Sequence, residues 1–85
     1  MKVTILTIFK QLYQGEIKEA TLPGQEGEVC IMDFHQPFLH RLRSGYIQLT
    51  EAASKSKNTQ KHRFKIRDGI ATMKANELAL LVAVA

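Results

Sequence analysis

The apolar residues of this 85-residue chain come in short clusters, each closed off by a turn signal, and that punctuation limits what the chain can build. "VTILTIF", Val3 to Phe9, is rich in β-branched and aromatic residues and too short for an isolated helix, so it predicts a strand. "GEIKEATL", Gly15 to Leu22, has the mixed pattern of a strand with one wet side. "LPGQEG" predicts a sharp reversal, since proline presets φ and glycine accepts positive φ without a Cβ clash. "EVCIM" and "GYIQLT", Gly45 to Thr50, predict further strands. "RFKI" and "IATMK" flank "RDG", a tight-turn signal in which Asp68 and Gly69 are expected to supply the unusual backbone angles. "EAASKSKNTQKH" carries almost no bulky apolar residue and predicts a solvated loop joining two strands of a hairpin.

After the turn at "KAN", the segment "ELALLVAVA" is open between helix, favoured by Ala, Leu and Glu, and strand, favoured by Val82 and Val84; we read it as a strand. Without a long helical period or an internal repeat, the pattern predicts an all-β fold, a small two-sheet β-sandwich of about ten short strands, or a small barrel. Residues 1–85 form a single domain in this reading, because a chain of this length hides only about 60 to 65% of its unfolded surface and has room for one core.

Both sides of two predicted strands are apolar. Val3, Ile5 and Phe9 face Leu6 and Ile8 across the first, and Leu78, Leu80, Val82 and Val84 face Ala79, Leu81, Ala83 and Ala85 across the last. A two-layer domain hides one side of each sheet, so the second side is expected either to be covered by another molecule or to be tucked under a corner or loop of the same chain.

Catalytic chemistry has little support. His35, His40, His62 and Cys30 lack the paired spacing of zinc ligands, so no metal is expected. Cys30 stands in "VCIM", amid apolar neighbours, and is expected to be a packing residue rather than a nucleophile. Glu26, Glu28 and Asp33 around a glycine turn suit solubility or recognition better than acid and base work. "PGQEG" lacks the lysine and helix start of a phosphate cradle, and no cofactor or small-molecule ligand is expected. One cysteine cannot form an internal disulfide, no opening segment has the form of a signal peptide, and the longest apolar run, Leu78 to Ala85, is far short of the roughly 20 residues of a membrane-spanning helix.

The net charge of +4 is unevenly spread. Lys55, Lys57, Lys61, Arg63, Lys65 and Arg67 follow one another without an acid in "KSKNTQKHRFKIR". Such a stretch can neutralise phosphates, yet Phe64 is its one stacking residue, whereas single-strand binders add several aromatic platforms. A solvated loop, attraction to an acidic protein or to anionic headgroups, and a small β-barrel nucleic-acid-binding module using residues 55–67 are the alternative readings.

The order of these motifs resembles the N-terminal β-sandwich of the epsilon subunit of rotary F-type ATP synthases. The resemblance spans nearly the whole chain apart from Thr50 to His62. It rests on the element Tyr13 to Gly15, the "LPG-xx-GE" turn Leu22 to Glu28, a histidine followed by "xPLL" at His35, Pro37 and Leu39, and a glycine step at Gly45. The family's "G-I-x-P-G-H" is here "CIMDFH", with Cys30, Asp33 and Phe34 at its glycine, proline and glycine positions, and "SGG" is here "RDG". These departures are similar to a sodium-associated branch of the family, and leave H+ or Na+ open as the transported ion.

The resemblance implies a non-catalytic rotor subunit on the central stalk, docked on the gamma subunit and the polar loops of the c-ring, without nucleic acid. It implies a peripheral place on the cytoplasmic face of the inner membrane, held through the complex. Glu28 and His35 are the residues implied to face the c-ring, on a loop shaped by Pro23, Gly24, Gly27 and Pro37. The helical hairpin that follows this domain in many bacterial epsilon subunits does not occur in the 85 residues.

Overall fold

The computed structural model describes residues 1–51 and 61–84. Within them the chain forms eight strands and no helix: β1 Lys2–Leu6, β2 Gln11–Gly24, β3 Gly27–Met32, β4 Phe38–Leu42, β5 Gly45–Glu51, β6 Lys61–Ile66, β7 Asp68–Lys74 and β8 Glu77–Ala83. The all-β sandwich is therefore as expected, with eight strands in place of about ten. The number falls because the Tyr13 element, "GEIKEATL" and "LPG" fuse into the single 14-residue strand β2.

Two layers are built around that strand. The first half of β2 pairs with β1, up to Lys2 opposite Glu16. The ladder then irregularly shifts register between Ile17 and Glu19, and the second half pairs with β5 on one side and β3 on the other. One layer thus runs β4-β7-β8-β1-β2 and the other β3-β2-β5-β6. Gly24 opposite Leu42 closes β4 onto the far end of β2.

Period-two alternation decides which side chains meet between the layers. Val3, Ile5, Leu42, Ala71, Met73, Leu78 and Leu80 come from the first layer; Ala20, Leu22, Ile31, Ile47, Leu49 and Ile66 come from the second. Each large aliphatic side chain removed from water contributes about 1.5–3 kcal/mol, and among the described residues no charged or polar side chain is buried with them.

Two expectations need correction, and one strand was not expected. The strand from Val3 ends at Leu6, and Ile8 and Phe9 lie exposed in the β1–β2 turn. "RDG" is no hairpin: β6 pairs with β5 while β7 is flanked by β4 and β8, so Arg67 carries the chain from one layer to the other. Its N–H donates to the Ala83 carbonyl at 2.7 Å, and Asp68 and Gly69 lie in extended backbone rather than at positive φ. Phe38–Leu42, which has no clear alternation in sequence, is a strand because β7 offers it an edge. The antiparallel pairing of β5 with β6 agrees with the hairpin expected there; Lys55, Lys57 and most of the loop lie outside the described residues.

Candidate docking surfaces

The β2–β3 tip is built from its turn residues. Pro23 cannot donate to a ladder, and its carbonyl instead accepts from the Arg43 N–H at 2.9 Å. Gly24 stands opposite Gly27, whose φ of 129° is a conformation that side chains rarely adopt. The pair leaves Gln25 and Glu26 exposed at the apex. A groove of about 430 Å³ separates this tip, through Glu28 and Val29, from His40 and Arg41 on β4.

Glu28 points outward near the tip, with Pro23 opposite on β2. His35 lies past the other end of β3, where its N–H donates to the Met32 carbonyl at 3.2 Å. Glu28 and Met32 are about 13 Å apart along the strand at ~3.3 Å per residue, so the two residues implied to face the c-ring mark opposite ends of the β3 edge. Within the described residues β3 is paired on one side alone, with β2.

The loop leading to β4 is pinned at several points. Asp33 accepts a hydrogen bond from the Met1 amino group, and the Phe34 N–H donates to Asn76 Oδ1 at 2.7 Å. Phe34 sits at a φ of 62°, in the left-handed region, with its ring 82% exposed. That angle suits glycine, which has no Cβ to clash, and makes the phenylalanine costly. The His35 and His40 rings flank Phe38, at centroid distances of 5.3 and 4.7 Å. Pro37 is exposed in the same loop.

Cys30 contradicts its sequence reading. Val29 and Ile31 turn inward, so the alternation sends Cys30 out to solvent. Its thiol donates to Glu19 Oε1 at 3.2 Å, and that hydrogen bond, followed by slight burial and the carboxylate's charge, raises the thiol pKa above its ordinary value. His62, far from His35 and His40, lies on β6 with Nε2 2.8 Å from Glu51 Oε1. The described residues contain no group of three or more metal-ligating side chains.

The other surface is apolar. Across β1, β8 and β7 the outward residues Leu6, Leu81 and Ile70 stand in one row, 38%, 49% and 45% exposed. The next row is Thr4, Ala79 and Thr72, flanked by exposed Leu39 of β4. Charged residues close both ends: Lys2, Glu77 and Lys74 at one, the Arg41–Asp68 pair at 3.4 Å at the other. Sequence alternation located this second apolar side in β1 and β8, and the fold adds Ile70. No helix among the described residues is long and apolar enough to cross a membrane.

Comparison with known proteins follows the same line. The family described as ATP synthase, Delta/Epsilon chain, beta-sandwich domain matches residues 1–85. ATP synthase epsilon chain 2 of Ralstonia nicotianae is 42% identical over 50 residues, 59% of this chain and 36% of that protein. The ATP synthase epsilon chain of Hyphomonas neptunium is 29% identical over 72 residues, 85% of this chain and 50% of that one. The chain therefore spans half or less of these two relatives. A chain in the central stalk and c-ring structure of the Tetrahymena thermophila mitochondrial ATP synthase superposes with a TM-score of 0.78 at 23% identity, covering 98% of this chain and 63% of that chain. One in the Euglena gracilis mitochondrial ATP synthase reaches 0.79 at 17% identity over 94% of this chain and 48% of that one. With two layers sharing β2, the glycine-bounded tip and a full-length family match, the chain belongs to the ATP synthase delta/epsilon family as its β-sandwich domain.

Proposed function

We propose that this domain is a non-catalytic central-stalk part of an F-type ATP synthase, linking the gamma subunit to the membrane c-ring and helping couple ion translocation to ATP synthesis or hydrolysis. The observation that carries the reading is the outward row Leu6, Leu81 and Ile70 on a domain whose core is already complete without it. Such a face gains from being covered, and about 800 Å² per partner makes a stable joint. A rotor needs one: each unit charge moved through 100 mV releases about 2.3 kcal/mol, which must cross the stalk without slippage.

In this reading the apolar face seats on gamma, and the β3 edge, with Glu28 at one end and His35 past the other, meets the polar loops of the c-ring. Their work is hydrogen bonding and register rather than proton transfer. Membrane attachment runs through the complex, on its cytoplasmic side. The test is co-purification of the ATP synthase with tagged variants that retain their circular dichroism and melting behaviour. Leu81→Glu with Ile70→Glu is expected to lose gamma, and Glu28→Gln with His35→Ala to weaken c-ring association while the fold persists. Full recovery of both partners with all four substitutions would sink the reading.

A further inference from the structure

The edge strand β6 carries a feature that the rotor reading does not use. Lys61, Arg63 and Lys65 alternate on its outward side, and exposed Arg67 follows directly, a row about 20 Å long at ~3.3 Å per residue. Their inward neighbours His62, Phe64 and Ile66 fix the strand on the domain. Opposite the three cations on β5 stand Thr50, Gln48 and Tyr46, all uncharged. Among the described residues the ion pairs are those of Met1, Arg41 and His62, and none involves this row. Arg63 lies 3.7 Å above the Tyr46 ring, which holds one guanidinium in place.

We propose that the β6 edge binds an extended acidic polypeptide segment by strand addition, with Asp or Glu at alternate positions of the incoming strand. Within the described residues β6 is hydrogen-bonded to β5 alone, so its other edge presents backbone donors and acceptors. The cation spacing equals the side-chain repeat of a strand, so an added strand of that pattern meets Lys61, Arg63 and Lys65 in register. A second copy of β6 would set cations against cations, which disfavours self-pairing and leaves an acidic partner as the complement. A nucleic acid fits less well: Tyr46 is the exposed aromatic beside the row, and Arg63 already covers its ring. A bilayer fits less well too, because the row is one strand wide. β6 and β3 are opposite edges of one layer, so this site is separate from the edge assigned to the c-ring and does not depend on that assignment.

Fluorescence anisotropy of the full chain tests this with a labelled short peptide of alternating glutamate and threonine. The controls are a peptide of the same composition with its glutamates in one block, an oligo-dT strand, and vesicles containing phosphatidylglycerol. Saturable binding that prefers the alternating peptide, weakens with salt, and drops about tenfold or more in Lys61→Glu/Arg63→Glu/Lys65→Glu is the expected result. Backbone N-methylation of the peptide is expected to abolish it. If the triple variant melts early, Lys65→Gln alone serves, with a smaller loss expected. No saturable binding to the alternating peptide, equal binding to the block peptide, or tighter binding to oligo-dT or vesicles would each overturn the proposal.

Discussion

His62 on β6 and Glu51 on β5 meet at 2.8 Å, and the same carboxylate oxygen accepts the Tyr13 hydroxyl from β2 at 3.3 Å. The Tyr13 and His62 rings lie 4.9 Å apart, so three strands of two ladders converge on one carboxylate. Burial pushes the Tyr13 phenol above its ordinary value, and the charge and hydrogen bond of Glu51 push it further. The folded phenol thus holds its proton to higher pH than the unfolded one. Its contribution to stability is complete below the unfolded value near 10 and is lost as pH rises through the folded value. In a Tyr46→Phe background, ultraviolet titration should show the remaining tyrosine ionising late, and Glu51→Gln should bring it earlier. Urea midpoints between pH 9 and 11 should fall less steeply in Tyr13→Phe; parallel curves would refute the linkage.

Exposure alone would make Cys30 reactive, but its hydrogen bond to Glu19 favours the thiol over the thiolate. Modification by a disulfide reagent near pH 8 is expected to be slower than for a free cysteine. Glu19→Gln should accelerate it, and an unchanged rate would show that the hydrogen bond does not govern the sulfur.

Two backbone positions are held at a cost. Phe34, at 62°, and Ala75, at 51° in the two-residue turn joining β7 to β8, both occupy left-handed angles suited to glycine. Each of Phe34→Gly and Ala75→Gly is expected to stabilise the domain by about 0.5–1 kcal/mol, after the added flexibility of the unfolded chain is deducted. The check is a higher urea midpoint with an unchanged slope.

Leu80 is fully enclosed, beside Ile5 on β1 and Ala71 on β7. Leu80→Ala should cost about 2–5 kcal/mol through lost transfer energy and the cavity left behind, whereas Leu81→Ala, one residue away on the outer face, should cost far less. Comparable losses at both positions would mean that the outer face is packed rather than open.

The alternation in β5 and β8 made their faces legible, because Ile47 and Leu49, and Leu78 and Leu80, recur every second residue. β4 was not legible: Leu39, His40 and Arg41 all face solvent, and the segment is a strand through its pairing with β7. At Arg67 "RDG" has the chemistry of a tight turn, but β4 and β8 occupy both edges of β7 and leave none for β6. Cys30 was misjudged from its neighbours' polarity rather than from its parity with Ile31. Of the candidate site, the tip residues and the apolar sides of β1 and β8 could be read directly. The contributions of Ile70 and Leu39 depend on which strands become neighbours, and the row on β6 reads as one edge only once β5 is known to be its partner.

The unbroken run of β2 through both layers has a mechanical consequence. A sandwich whose sheets are joined by loops can slide or part like two boards; here a single plank is nailed into both. Shear applied to one sheet is borne along the other's main rib, so the body yields all at once or not at all, as the proposed place on a turning shaft would require.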